Sequence, residues 1–358
     1  MDASTSIPVR RPRAFAWGLT ALPAVILALA ACTGGATPTI SIPPDATSPT
    51  RPAETSVPSS SPSSSPATFP TTLTDDEGTE VTLAAEPEVI VSLTPATTEI
   101  LFALGVGDRI AGKVEDFSLF PPEAASIPDV AKFGEVDVEQ IVALEADLVI
   151  AGGNSFNPPD KIAQLRELGI PVLVVYAPDV DAVFADIELT GAAVGRADEA
   201  KDLTVAMRAE FDQVAAATAD LERPRVFYEL DATSAIYTAA DDSFLAEMIE
   251  LAGGEPITTG STTSFEIALE SLVTADPEVI LLGDAAYGVT PEAVAARPGW
   301  DGMRAVTAGA IRPVDDVVVT RPGPRLGEGL RALALAIHPE ASISAASPAA
   351  SAKASAAP

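Results

Sequence analysis

The sequence predicts an α/β protein: two Rossmann-like lobes with mainly parallel sheets, joined by a single long interlobe helix. Three observations carry that expectation. Near-continuous apolar runs such as Pro171-Val172-Leu173-Val174-Val175 alternate with helical stretches, the pattern of strands buried on both faces. A segment repeats itself at a constant offset of 131 residues, Glu139 against Glu270 and Gly152 against Gly283. Between the two copies, residues 197–220 contain no Gly or Pro and place Leu203, Met207, Phe211 and Val214 on one helical face.

In chain order, Arg10, Arg11 and Arg13 precede an apolar run from Ala14 to Ala31 that ends in small residues, the layout of a secretory signal peptide over 1–31. Leu29-Ala30-Ala31-Cys32 reads as a lipobox, so Cys32 is expected to be diacylglyceryl-modified and to anchor the chain to a membrane. Residues 32–70 are rich in Ser, Pro and Thr and are expected to form a disordered tether, on the order of 3 Å per residue where extended. The first lobe is expected over 71–186, with strands at Glu88–Leu93, Asp147–Ala151 and Pro171–Tyr176 and a helix over 97–104. The interlobe helical segment is expected over 187–221. The second lobe, over 222–340, has strands at Arg225–Leu230, Glu278–Leu282 and Ala310–Val314 and a helix over 243–251. The Ala/Ser-rich tail over 341–358 is expected to be disordered.

Composition limits the partners. The 358 residues carry 21 Lys+Arg against 51 Asp+Glu, a formal charge of −30, so a nucleic acid backbone would be repelled. One Cys and one His, Cys32 and His338, leave no disulfide framework and no His- or Cys-based metal site, and no cofactor is expected. The repeat itself singles out Glu139 and Glu270. Each opens an expected helix, where a carboxylate opposes the macrodipole, and Asp137 could cap the first of these helices in a capping box with Gln140. A pseudo-twofold chain could equally use the pair as equivalent contacts for a two-fold partner.

Several stretches resemble the cobalamin and ferric-siderophore binding proteins of ABC importers: Leu93-Thr94-Pro95-Ala96-Thr97-Thr98-Glu99-Ile100-Leu101, Phe120-Pro121-Pro122-Glu123, Val138-Glu139-Gln140-Ile141-Val142-Ala143-Leu144, Leu251-Ala252-Gly253-Gly254-Glu255 and Arg321-Pro322-Gly323-Pro324-Arg325-Leu326. They occur in order from about Val89 to His338. The resemblance implies the class III, chelatase-like substrate-binding fold, with the ligand between two lobes. It implies a monomer that delivers a corrinoid or ferric-siderophore ligand to an ABC permease dimer served by cytoplasmic ATPase subunits, with Glu139 and Glu270 docking on permease arginines. Phe117 and Phe133 match aromatic positions of the ligand pocket, and Arg321 and Arg325 lie on the segment that borders it. Tyr176 and Glu266 are further pocket candidates. Each Phe could instead be core, and each Arg could instead pair with surface acids. Ser264 and Val317 depart from the cobalamin-binding pattern, where an aromatic and an acid respectively are expected.

A haem ligand would ask for an axial His or Tyr, for which Tyr228, Tyr237 and Tyr287 are open. No P-loop, nucleophile elbow or paired-Cys motif is present, so an enzyme is not expected. A structural or signalling envelope lipoprotein remains the alternative class. Trp300 is the expected fluorescence reporter for ligand binding.

Overall fold

The structure, a computed structural model, describes residues 68–118, 120–153 and 156–343. The signal peptide, Cys32, the tether up to residue 67 and the tail from residue 344 lie outside the described residues. A β-hairpin of β1 (Thr71–Thr74) and β2 (Glu80–Leu83) precedes the first lobe. The lobe then runs β3 (Ile90–Ser92), α1 (Pro95–Ala103), β4 (Ile110–Val114), β5 (Asp129–Lys132), β6 (Glu135–Val136), α2 (Val138–Ala143), β7 (Leu148–Gly152), α3 (Pro159–Glu167) and β8 (Val172–Val175). Its six-stranded sheet has the order β6-β5-β4-β3-β7-β8 and is parallel except at the β5–β6 edge.

Two helices follow, α4 (Val180–Ala193) and α5 (Ala197–Thr218). The second is the long helix the sequence predicts, 22 residues and ~33 Å at the usual rise. Met207 and Val214 are buried along it, and Leu203 and Phe211 pack against the same core.

The second lobe contains β9 (Arg225–Glu229), β10 (Ile236–Tyr237), α6 (Phe244–Leu251), β11 (Glu255–Pro256), β12 (Glu266–Ile267), α7 (Leu269–Ala275), β13 (Val279–Leu282), α8 (Pro291–Ala295), α9 (Arg304–Thr307), β14 (Ile311–Pro313), α10 (Asp316–Thr320) and α11 (Leu326–Ile337). Its main sheet is parallel, in the order β11-β9-β13-β14. That order matches β4-β3-β7-β8 of the first lobe.

The repeat is structural down to single residues. Helix α2 and strand β7 begin at Val138 and Leu148, and α7 and β13 begin 131 residues later at Leu269 and Val279. Glu145 and Asp276, at the same offset, both adopt a left-handed backbone, φ 54° and 48°. Asp147 accepts the amides of Glu88 and Val89, and its counterpart Glu278 accepts the amide of Arg225, so each acid ties its loop to the start of the neighbouring strand.

Local chemistry sets the boundaries. Helix α1 starts two residues before the expected 97 because Pro95 fits its first turn and the Thr94 hydroxyl accepts the Thr97 amide at 3.1 Å. Helix α6 starts one residue late because Ser243 serves as its N-cap, accepting the Ala246 amide. One hydrophobic cluster spans both lobes, from Ile100 and Leu101 through Phe184 and Met207 to Met248 and Leu330. Two smaller clusters fill the outer face of each sheet, one around Val149 and Ile141, the other around Ile280 and Leu272. The shared cluster makes α4, α5, α6 and α11 a common wall behind the two sheets.

Candidate functional site: a cleft between the lobes

The loops that leave the carboxyl ends of β3, β4, β5, β7 and β8 face those that leave β13 and β14 across a cavity of about 750 Å³. Ligands collect at this end of parallel sheets because the strand-to-helix loops there can diverge without disturbing the core. The backbone must pass close at two of these turns. A Cβ on Gly152 would lie 2.7 Å from the Thr94 methyl, and one on its repeat partner Gly283 would lie 2.5 Å from the Tyr228 ring. A side chain at either position would force its neighbour to move.

The aromatic wall is exposed. Phe117, Phe133 and Tyr287 line the cavity with 87%, 77% and 89% of their surfaces accessible, so neither Phe is a core residue. Phe133 rests edge-on against Phe156, ring centroids 5.4 Å apart, which fixes one face towards the cavity. Tyr176, just past β8, lines the same wall. Large apolar surfaces left open on both lobes suit an extended or planar ligand.

The polar floor is an ion network that crosses from lobe to lobe. Glu99, on α1 and only 2% exposed, accepts a hydrogen bond from Arg321 Nη1 at 2.6 Å and two from Arg325, Nε at 2.9 Å and Nη2 at 2.8 Å. Arg321 also donates to both carboxylate oxygens of Asp116 at 3.0 Å and to Ser118 Oγ. Burial pushes the Asp116 carboxyl up. The hydrogen bond from Arg321, the Ser118 amide and the guanidinium charge outweigh burial and hold it below the usual range. Arg325 stacks on Phe120 at 3.8 Å. Burial disfavours its charge, but the hydrogen bonds and charge of Glu99 prevail and raise its pKa.

Two further acids sit at the cavity edge. Burial, then the adjacent Asp76 and Asp179, push Asp186 up to about 8. Burial also raises Asp316, although the Tyr228 hydroxyl donates to it at 2.8 Å.

Of the residues singled out from the sequence, Phe117, Phe133, Tyr176 and Arg321 line this cavity. Arg325 lies behind its wall, held by Glu99, and Glu266 is an exposed residue of β12 outside it. Glu266 lies off the wall because it pairs with Tyr237 in a separate two-stranded antiparallel sheet of β10 and β12. Of the open tyrosines, only Tyr287 lines the cavity; Tyr228 is buried beneath it. Trp300 is 3% exposed, packed on Phe227 with ring centroids 6.0 Å apart, and does not line the cavity, so it is a poor direct reporter of the cleft. Sequence reading missed Glu99, Asp116, Asp186 and Phe156 as site residues. Glu99 alone left a signal, a carboxylate inside an otherwise apolar and Thr-rich helix.

Glu139 and Glu270 are exposed second residues of α2 and α7. Asp137 does cap α2, accepting the Gln140 amide at 3.0 Å, but its own amide goes to the Val130 carbonyl, so the reciprocal half of the capping box is not made. Each helix leads directly into β7 or β13, so the two carboxylates hold equivalent places in the two repeats. Among the described residues no helix is long and apolar enough to cross a membrane, and no cluster of His, Cys, Asp and Glu could hold a metal ion.

Two α/β lobes backed by a shared wall of helices, with an aromatic-walled cleft at the facing strand ends, define a bilobal solute-binding protein. The sequence profile of the periplasmic binding proteins matches residues 90–317, and the chain belongs to that family. It is 34% identical over 274 residues to the ABC transporter substrate-binding lipoprotein YvrC of Bacillus subtilis, covering 75% of this chain and 86% of that one. A cobalamin-binding protein of Halobacterium salinarum is 30% identical over 275 residues, 74% of this chain and 73% of its own. Among solved structures, the periplasmic haem-binding protein RhuT of Roseiflexus sp. RS-1, in apo form, superimposes with a TM-score of 0.63 at 27% identity, covering 70% of this chain and 98% of that one.

Proposed function

We propose that this chain is the lipid-anchored, extracytoplasmic binding component of an ABC importer, which captures a corrinoid or ferric-siderophore ligand between its lobes and delivers it to a dimeric permease. The observation that carries the reading is the pairing of an exposed aromatic cleft with two equivalent, solvent-facing glutamates, Glu139 and Glu270, at the same place in each repeat. Charge-assisted contacts from both lobes would set orientation and encounter rate on a two-fold permease. Cys32 would carry the lipid, and Phe117, Phe133, Tyr176 and Arg321 would meet the ligand.

Calorimetric titration with cobalamin, cobinamide, haem and ferric siderophores tests the cleft, and uptake by cells carrying Glu139→Ala with Glu270→Ala tests the docking. Saturable binding to one class, kept in the double variant while uptake is lost, is the expected result. A folded protein silent to every ligand would move the reading to an envelope structural lipoprotein. Loss of ligand binding in the double variant would overturn the docking roles.

The position of Tyr287 favours a second reading, haem capture with a phenolate axial ligand. A haem Soret band that depends on the hydroxyl, lost in Tyr287→Phe, would support it.

A further inference from the structure

We infer that the cleft selects by charge, taking a neutral or cationic ligand such as cobinamide or a neutral ferric hydroxamate and rejecting polyanions such as ferric tris-catecholates. This rests on the proposed function of the cleft as the ligand site.

The charges that face the cavity are Glu115, Asp116, Lys132, Asp186, Asp316 and Arg321. The two cations differ: Arg321 is locked into the buried network, whereas Lys132 is held only by an exposed pair. Arg321 directs its two terminal nitrogens to Glu99, Asp116 and Ser118. Lys132 pairs with Glu135 at 3.1 Å. Arg325, the other guanidinium near the floor, is chelated by Glu99 and covered by Phe120. A guanidinium so held keeps few donors for an incoming anion, and binding one would mean giving up contacts to a buried carboxylate.

The remaining groups point the same way. Glu115 is exposed and Asp316 shares the wall, so an anion entering the cleft meets carboxylates in excess of free positive charge. The hydroxyls along the wall add no free donor for an anion either: Thr97 donates to the Thr94 carbonyl, Ser118 to Asp116 and Thr320 to the Asp316 carbonyl. Asp186, with its carboxyl pushed up by burial and by Asp76, adds less anion-repelling charge than an ordinary carboxylate and no cation.

The test is calorimetric titration of the full chain with two ferric complexes of similar size, a neutral or cationic tris-hydroxamate and a tris-catecholate, together with cobinamide and haem, at low and at high salt. The tris-hydroxamate or cobinamide should bind at least about tenfold more tightly than the tris-catecholate at low salt, with the gap narrowing as salt screens the field. Asp116→Asn, which removes one carboxylate from Arg321, should shrink the same gap by about tenfold. Equal or tighter binding of the tris-catecholate by the unmodified chain would overturn the inference while leaving the importer reading intact. A preference for the hydroxamate that does not change with salt would also overturn it, because shape rather than charge would then be selecting. That readout needs no variant to fold. Silence towards all four ligands would defeat the importer reading itself, and this inference with it.

Discussion

Replacing Glu99 by Gln should loosen the joint between the lobes more than any surface change could. The side chain is 2% exposed and accepts three charge-assisted hydrogen bonds from two guanidinium groups of the other lobe. The amide keeps the shape but turns an NH2 towards groups that are themselves donors, so at least one guanidinium nitrogen loses its acceptor. Removing one partner of a buried ion pair costs ~3–5 kcal/mol. Arg321 and Arg325 keep 14% and 18% of their side chains in contact with water, which places the cost near the lower end, ~3 kcal/mol. At ~2–4 °C per kcal/mol for a body of this size, Tm should fall by on the order of 10 °C. Differential scanning calorimetry at two salt concentrations measures it, and the loss should persist at high salt because the pair is screened little. A fall of less than ~2 °C, or one that vanishes in high salt, would mean that the network is worth no more than exposed ion pairs and would refute the reasoning.

Three further outcomes follow from the geometry. Asp186 binds its proton up to about pH 8 in the folded state but only to about 3.8 when unfolded, so the folded state holds the extra proton between those values and stability falls as pH rises through that window. Asp186→Asn should remove this slope, stabilising the protein at pH 8 and leaving it unchanged near pH 4; equal effects at both pH values in denaturant titrations would show that the acid does not titrate there. Arg297→Ala should cost ~3 kcal/mol, because it strips the bidentate partner from Glu229, whose side chain is fully buried, and it should shift the emission of Trp300, over which the guanidinium sits at 4.8 Å; an unchanged emission maximum would contradict that contact. Phe133→Ala and Tyr287→Ala should leave Tm within ~2 °C, since both rings are largely in solvent, yet each should weaken ligand binding by about tenfold; a folding defect without an affinity change would reverse their assignment.

What the sequence made legible is what repeats. The offset of 131 residues that aligns Glu139 with Glu270 also aligns the helix starts, the strand starts and the two left-handed residues Glu145 and Asp276, because both copies solve the same backbone problem: end a helix, turn, and enter a buried strand. Apolar runs and caps are local, so the elements appeared within one or two residues of where Thr94 and Ser243 place them. The short hairpin of β1 and β2 and the β10–β12 pair went unforeseen, since two-residue and four-residue pairings leave no periodicity to count.

The cleft was harder to read for a reason that bears on its function. Glu99, Asp116 and Arg321 are separated by as much as 222 residues of chain and meet only because two different lobes bring their strand ends together. No spacing rule encodes that meeting. The symmetry also breaks there: Glu139 has its counterpart in Glu270, but Glu99 of α1 accepts two arginines from the other lobe, while Glu247 of α6, the helix that follows β9 as α1 follows β3, accepts the amide of Val180 at the start of α4. The duplicated surface faces outwards, where a two-fold partner would require equivalence. In the cleft the two lobes diverge: the first contributes Glu99, Asp116, Phe117 and Phe133, the second Tyr287, Asp316 and the guanidinium groups of Arg321 and Arg325.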